Sequence, residues 1–282
     1  MRRLFTVSCL ALVTIFSQQA NAQMCCVKKT GTDMQALAFN DEFKKAHLAP
    51  EPFTYVPQSG GQDIKFPTTD GKTGNAFYVP AKTASNKVLL LFHEYWGLND
   101  YIKREAERWQ QLLGDDISVY AIDLYDGKVA TDPEAAGKLM AGLTREHGEA
   151  IVKGLLNKIG KGKQIATLGW CMGGTWSFNA ALLAGTEAKA CVMYYGFPEK
   201  DKNKVKTLQA DVLYIRGDRD QFIKEQDVDQ LEKEVKAGSH VFELHHYDAN
   251  HAFANPSNPK YDKQNADDAQ INAVRFIQGH FK

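Results

Sequence analysis

The sequence predicts an α/β fold with a mostly parallel central sheet of about eight strands flanked by helices. Three observations predict it. Apolar strand-like runs alternate with amphipathic helix-like segments from about residue 61 to the C-terminus. Several runs, "VLLLF" among them, are continuously apolar, as strands covered on both faces must be. No linker interrupts the alternation, so residues 61–282 read as one domain.

The elements follow in chain order. Residues 1–22 read as a signal peptide: Arg2 and Arg3, an apolar run from Leu4 to Phe16, then Ala20 and Ala22 in the small-x-small pattern of a cleavage site. That run falls short of the roughly 20 apolar residues a membrane-spanning helix needs, so the chain is expected to be exported, periplasmic or secreted, without stable membrane insertion. Residues 23–60 hold Pro50, Pro52 and Pro57 and little periodicity, and read as an N-terminal extension lying over the domain. The strands are "DIKFP", "NAFYVP", "KVLLLFHE", "SVYAIDLY", "QIATLGW", "ACVMYYG", "DVLYIRG" and "HVFELHHY". Helices are expected near 100–114, 132–159, 173–184, 221–236 and 266–280. Ile151, Val152, Leu155, Leu156 and Ile159 share one face of the second, and Ile271, Val274 and Ile277 one face of the last.

Charge narrows the partners. Removing Arg2 and Arg3 from the 34 basic residues leaves 32 against 34 acidic ones, and the basic residues are scattered. No electrostatic footprint for nucleic acid results, so a small-molecule substrate and a monomer or small homo-oligomer are expected. Cys9 lies in the leader; Cys25, Cys26, Cys171 and Cys191 are too few for a disulfide scaffold. Cys25 and Cys26 can bridge to each other, pair between chains or stay free, and Cys191 in "ACVMYYG" reads as a small buried hydrophobe.

The chemistry centres on "TLGWCMGGTW", residues 167–176. An apolar run, a glycine two residues either side of Cys171 and a helix-compatible segment describe a sharp strand-to-helix turn with a thiol at its apex. The helix N-terminus favours an anion there, and the N–H of Met172 is the expected donor to a developing oxyanion. An acid and a histidine should follow in that order. Asp218 and Asp220 come after "DVLYIRG", and His251 comes after "HVFELHHY", ahead of the last helix. No H-E-x-x-H or paired-cysteine spacing is present, so neither a metal nor a cofactor is expected.

Taken together, "FHEYWGLND", "AIDLY", "GWCMGG", "VMYYG", "GDRDQF" and "NHAFA" make the chain resemble the dienelactone hydrolases (carboxymethylenebutenolidases) of the α/β-hydrolase superfamily, from about residue 62 to the end. The resemblance implies an α/β-hydrolase fold and a Cys171–His251–Asp220 triad, with Asp220 chosen over Asp218 because it immediately precedes the matching "QF". It further implies that Glu94 contacts the resting thiol. Burial would raise the pKa of that carboxyl, and an ion pair with Arg216 is the structural alternative. The N–H of Tyr95, the residue after Glu94, would be the second oxyanion donor.

The implied activity is a carboxylic ester hydrolase that opens an enol lactone or activated ester through an acyl-enzyme. One departure stands out: the family's substrate-binding arginine, four residues after the histidine, is Asn255 here. Losing that cation weakens the case for an anionic lactone and favours an esterase or thioesterase for an uncharged ester. Trp96, Tyr195 and Phe253 are candidate pocket residues beside Asn255. A noncatalytic binding protein, or a thiol-redox protein using Cys171 with the Cys25–Cys26 pair, is the alternative of another class.

Overall fold

The computed structural model describes residues 33–282, so the predicted leader, Cys25 and Cys26 lie outside the described residues. Two short helices come first, α1 (Asp33–Leu37) and α2 (Asp41–Ala46), in a stretch where the sequence shows no period. One turn and a half offers too few positions for a 3.6-residue repeat to register. The Asn40 side chain caps α2 by accepting from the Phe43 N–H at 2.9 Å.

An extended segment then leads to β1 (Gln62–Pro67), β2 (Thr73–Val79), β3 (Lys87–Phe92), α3 (Asp100–Leu113) and β4 (Ile117–Asp123). The helix expected over 132–159 is two helices, α4 (Pro133–Gly142) and α5 (Arg145–Ile159). Gly142 ends the first, and the Thr144 side chain starts the second by accepting from the His147 N–H at 3.2 Å. The chain continues through β5 (Gln164–Trp170), α6 (Met172–Ala184), β6 (Ala188–Tyr194), the four-residue α7 (Lys202–Val205), β7 (Asp211–Gly217), α8 (Glu225–Ala237), β8 (Phe242–Tyr247) and α9 (Lys263–His280). The observed starts of the last two helices are set by what precedes them. Asp220 ties up the N–H groups of Phe222 and Ile223 ahead of α8, and Asp262 caps α9.

The eight strands form one sheet in the order β1-β2-β4-β3-β5-β6-β7-β8. Pairs β1/β2 and β2/β4 are antiparallel, and all others are parallel. Chain order steps outward from β3 in both directions, to β4 on one side and β5 on the other. Such a reversal leaves a crevice beyond the carboxyl ends of the two central strands. In register, Phe92 at the end of β3 faces Gly169 near the end of β5, so the residues just after both strands emerge side by side. β3 earns its central place by composition: Val88 to Phe92 are buried on both faces.

All described residues fall within one compact unit. Glu107 of α3 is the staple that holds residues 55–61 to it. Its carboxylate accepts from the Tyr55 hydroxyl at 2.6 Å and from the N–H groups of Gln58, Ser59 and Gly61 at 2.8 to 2.9 Å. No described helix is long and apolar enough to cross a membrane.

The β5–α6 turn is packed against the end of β3 so closely that a Cβ at Gly173 would lie 2.4 Å from the carbonyl oxygens of both Phe92 and His93. Backbone cannot yield there as a flexible side chain could. Urea unfolding of Gly173→Ala is expected to show a loss of ~3 kcal/mol. Gly279→Ala, where a Cβ meets nothing within 4 Å, is expected to stay within ~1 kcal/mol of the parent.

Candidate active site

Cys171 joins β5 to α6 with φ 53 and ψ −117, one of five non-glycine residues with positive φ among the described residues. A side chain pays a steric cost in this region, and the turn is possible because its neighbours carry none. A Cβ at Gly169 would sit 2.2 Å from the Gly173 carbonyl oxygen. Hydrogen bonds lock the turn: the Cys171 N–H donates to Tyr194 O at 2.9 Å, and Cys171 O accepts from the Gly174 N–H at 2.9 Å. The Met172 N–H opens α6 and has no acceptor among the described residues.

Three side chains distant in sequence meet above this turn. The ring of His251, in the loop after β8, places Nε2 3.1 Å from the Cys171 sulfur. Its Nδ1 lies 2.6 Å from Asp220 Oδ2, and since a carboxylate accepts, Nδ1 donates and Nε2 is left to face the sulfur. The other oxygen of Asp220 accepts from the N–H groups of Phe222 and Ile223, which fixes the carboxylate on the short turn after β7. Asp218, the other candidate acid, instead faces the exposed ring of His246 at 2.8 Å.

Burial and charge oppose each other here. Burial alone would lower the pKa of His251, but Asp220 and Cys171 outweigh it and push the ring up to about 10. Burial would likewise raise Asp220, yet the His251 charge and the two backbone donors hold it below the usual carboxylate range.

Glu94 departs from expectation. It makes no hydrogen bond to the sulfur and none to Arg216. It accepts instead from the Ser257 hydroxyl at 2.6 Å and the Trp96 N–H at 2.9 Å. Its surroundings have the predicted effect: burial raises the carboxyl to about 7, although hydrogen bonds from Ser257, Trp96, Asn255 and Tyr95 pull the other way. The Tyr95 N–H, expected to serve an oxyanion, thus already helps to hold the Glu94 carboxylate.

Of the four candidate pocket residues, the structure brings one to a cleft. Phe253 lines a 360 Å³ cleft with His251, Phe222, Lys45, Arg219 and Lys260. Asn255 is buried, with Oδ1 accepting from both the N–H and the hydroxyl of Ser257, because it belongs to the Glu94 network. Trp96 packs edge-on against Tyr95 within the core. Tyr195 lies 5.1 Å from the His251 ring but is fully buried. A larger cleft of 520 Å³, lined by Phe53, Asp63, Lys65 and Lys103, shares no residue with the site.

No motif marks the residues of α2 that close around the site. His47, the C-cap of α2, lies beside the sulfur, Phe43 packs on the His47 ring at 4.0 Å, and Cys171 is only 1% exposed. The His47 Nδ1 lies 2.7 Å from Phe43 O, and its Nε2 is 4.0 Å from the Cys171 sulfur. Burial, then the charge of His251, lowers its pKa to about 3, so the ring is neutral. Its only signal was a histidine in a proline-rich stretch with no period, to which no motif applies. Ser257, equally unmarked, ties the loop after His251 to Glu94.

A model of the dienelactone hydrolase family matches residues 75–281. Protein usf of Aquifex pyrophilus is 26% identical over 228 residues, 77% of this chain and 98% of that one. Carboxymethylenebutenolidase 1 of Cupriavidus pinatubonensis is 25% identical over 215 residues, 71% of this chain and 89% of its own. Among solved structures, a dienelactone hydrolase-like promiscuous phosphotriesterase from metagenomic libraries superposes with a TM-score of 0.67 at 19% identity, over 79% of this chain and 99% of that one. The fold is that of the α/β-hydrolases.

The raised pKa of Glu94 has a sign that stability measurements read. Between 4.5, its ordinary value, and about 7, the folded chain keeps a proton that the unfolded chain has released, so stability falls as pH rises through that window. Glu94→Gln removes this contribution. Urea midpoints of the two proteins at the ends of the window are expected to show the variant losing ~2 kcal/mol less than the parent as pH rises.

Proposed function

Since the chain belongs to the dienelactone hydrolase family, we propose that it hydrolyses an enol lactone or activated ester through an acyl-enzyme on Cys171. The observation that carries this reading is the alignment of sulfur, imidazole and carboxylate, at 3.1 Å and 2.6 Å, on three loops beyond the carboxyl ends of β5, β8 and β7. The name of the Cupriavidus relative supports the lactone, because carboxymethylenebutenolidase activity is lactone opening.

In the first half-reaction the thiolate of Cys171 attacks the carbonyl carbon. The N–H of Met172, which opens α6, holds the oxyanion, while that of Tyr95 stays with Glu94. Collapse expels an enolate or aryloxide, which takes the proton carried by His251. In the second half His251 accepts a proton from water as it attacks the thioester; the acid leaves and the thiolate is restored. Asp220 holds the ring in the required orientation throughout. Glu94 acts as a positioning residue: through Trp96 it fixes the turn after β3, and through Ser257 it fixes the loop that carries His251. A thiolate leaves a thioester readily but expels an amine poorly, so good leaving groups are the expected substrates and peptides are not.

Asn255 favours a second reading within the same chemistry. It is buried in the Glu94 network and presents no cation to a substrate carboxylate, which suits an uncharged ester or thioester.

Cys171→Ala is expected to lower hydrolysis of an enol lactone or aryl ester by at least ~10³-fold while the circular dichroism spectrum is unchanged. Mass spectrometry of the parent with a slow ester should show one acyl group on Cys171. Undiminished turnover in the variant would remove the nucleophile. Faster turnover of a neutral ester than of a matched anionic lactone would select the second reading.

A further inference from the structure

The three side chains nearest the sulfur have a second chemistry. Nε2 of His251 is 3.1 Å from the Cys171 sulfur, Nε2 of His47 is 4.0 Å from it, and the three atoms all lie within 4.8 Å of one another. We propose that Cys171, His47 and His251 form a binding site for a borderline-soft divalent cation, Zn²⁺ above all. This holds whether or not the chain is an acyl hydrolase.

Geometry supports it first. Zinc bonds of about 2.3 Å to sulfur and about 2.0 Å to nitrogen put tetrahedral ligand atoms roughly 3.3–3.6 Å apart. The two sulfur–nitrogen separations, 3.1 and 4.0 Å, bracket that range, while the two Nε2 atoms lie within 4.8 Å of each other and close by up to roughly 1.5 Å as the rings turn onto the ion.

Both imidazoles are also oriented as metal ligands are. Each has its Nδ1 on an acceptor, Phe43 O at 2.7 Å for His47 and Asp220 Oδ2 at 2.6 Å for His251, so each can turn an Nε2 lone pair toward the same sulfur. The one proton shared between the sulfur and the His251 Nε2 leaves the His47 Nε2 lone pair without a donor. All three residues are buried, and no other donor reaches the His47 Nε2 among the described residues. A cation takes both lone pairs at once and releases the proton shared by Cys171 and His251 to solvent. One thiolate and two imidazoles, with no carboxylate oxygen in the set, suit zinc and discriminate against magnesium and calcium. Three protein ligands leave a fourth position for water. Bound there, the ion occupies the sulfur and both rings, and so acts as a reversible block on any chemistry of Cys171.

Cobalt substitution reads the site directly. Titration of the purified chain with Co²⁺ at neutral pH is expected to saturate at one ion per chain, with a sulfur-to-cobalt charge-transfer band in the near ultraviolet that Zn²⁺ abolishes. The band should vanish in Cys171→Ser and persist in the Cys25→Ser/Cys26→Ser double variant. Affinity should fall at least tenfold in His47→Ala and in His47→Phe, which keeps a ring against Tyr95 and so preserves packing. Absence of the band, its survival in Cys171→Ser, its loss with Cys25 and Cys26, or unchanged affinity in folded His47→Phe would each overturn the proposal. Turnover of the metal-free chain is a separate measurement and bears on the acyl chemistry alone.

Discussion

Cys171 is held at φ 53 by backbone crowded on both sides, and the geometry of the site descends from that constraint. A non-glycine residue in this conformation costs ~1–3 kcal/mol, and it persists only where the surroundings over-determine it. Gly169 and Gly173 let β5, α6 and the end of β3 approach to distances that any Cβ would forbid. That close approach delivers two things together. It lifts the sulfur above the sheet, and it brings the turn after β3, with Glu94 and Tyr95, to the same level. Helix α6 is buried nearly all round, including Trp176, Phe178, Ala180 and Ala181, so the turn cannot relax by moving the helix away.

The two carboxyls near the site are driven apart by their surroundings. Asp220 faces an imidazole and two backbone N–H groups, which favour its charged form despite burial. Glu94 has no cation beside it; its donors are a hydroxyl, amides and backbone, and burial prevails. Each carboxyl therefore has a different work to do. A charged Asp220 stabilises a charged His251, as its raised pKa records. A carboxyl near neutrality can tether two loops without placing a second full negative charge close to a thiolate. Arg216, which might have changed this balance, reaches no closer to a carboxylate than 3.8 Å from Glu225.

Much of this was legible in the sequence because it rests on local constraints. Continuous apolar runs marked the inner strands, glycines two residues either side of a thiol marked the elbow, and chain order placed Asp218 or Asp220 and then His251 on successive loops, with the family resemblance choosing Asp220. What escaped depends on contacts between segments far apart. Gly142 and Thr144 divide a helical pattern through a cap that periodicity does not register. Asn255 looked like a substrate ligand by position, yet Ser257, two residues on, turns it inward to Glu94. His47 lies 124 residues from Cys171, in a segment whose apolar residues are too few to announce a buried face.

That segment changes what the site can do. Phe43 is fully buried, with its ring 5.0 Å from Phe222, 5.4 Å from Tyr95 and 4.0 Å from His47. Burying one such ring stabilises the docked state of α2 by ~2–3 kcal/mol. The cleft beside Phe222 reaches the His251 ring and is lined in part by Glu42, Lys45 and Ala46, residues outside the stretch that matches the family. The surroundings of the sulfur are therefore built as much by residues 41–47 as by the stretch that matches the family.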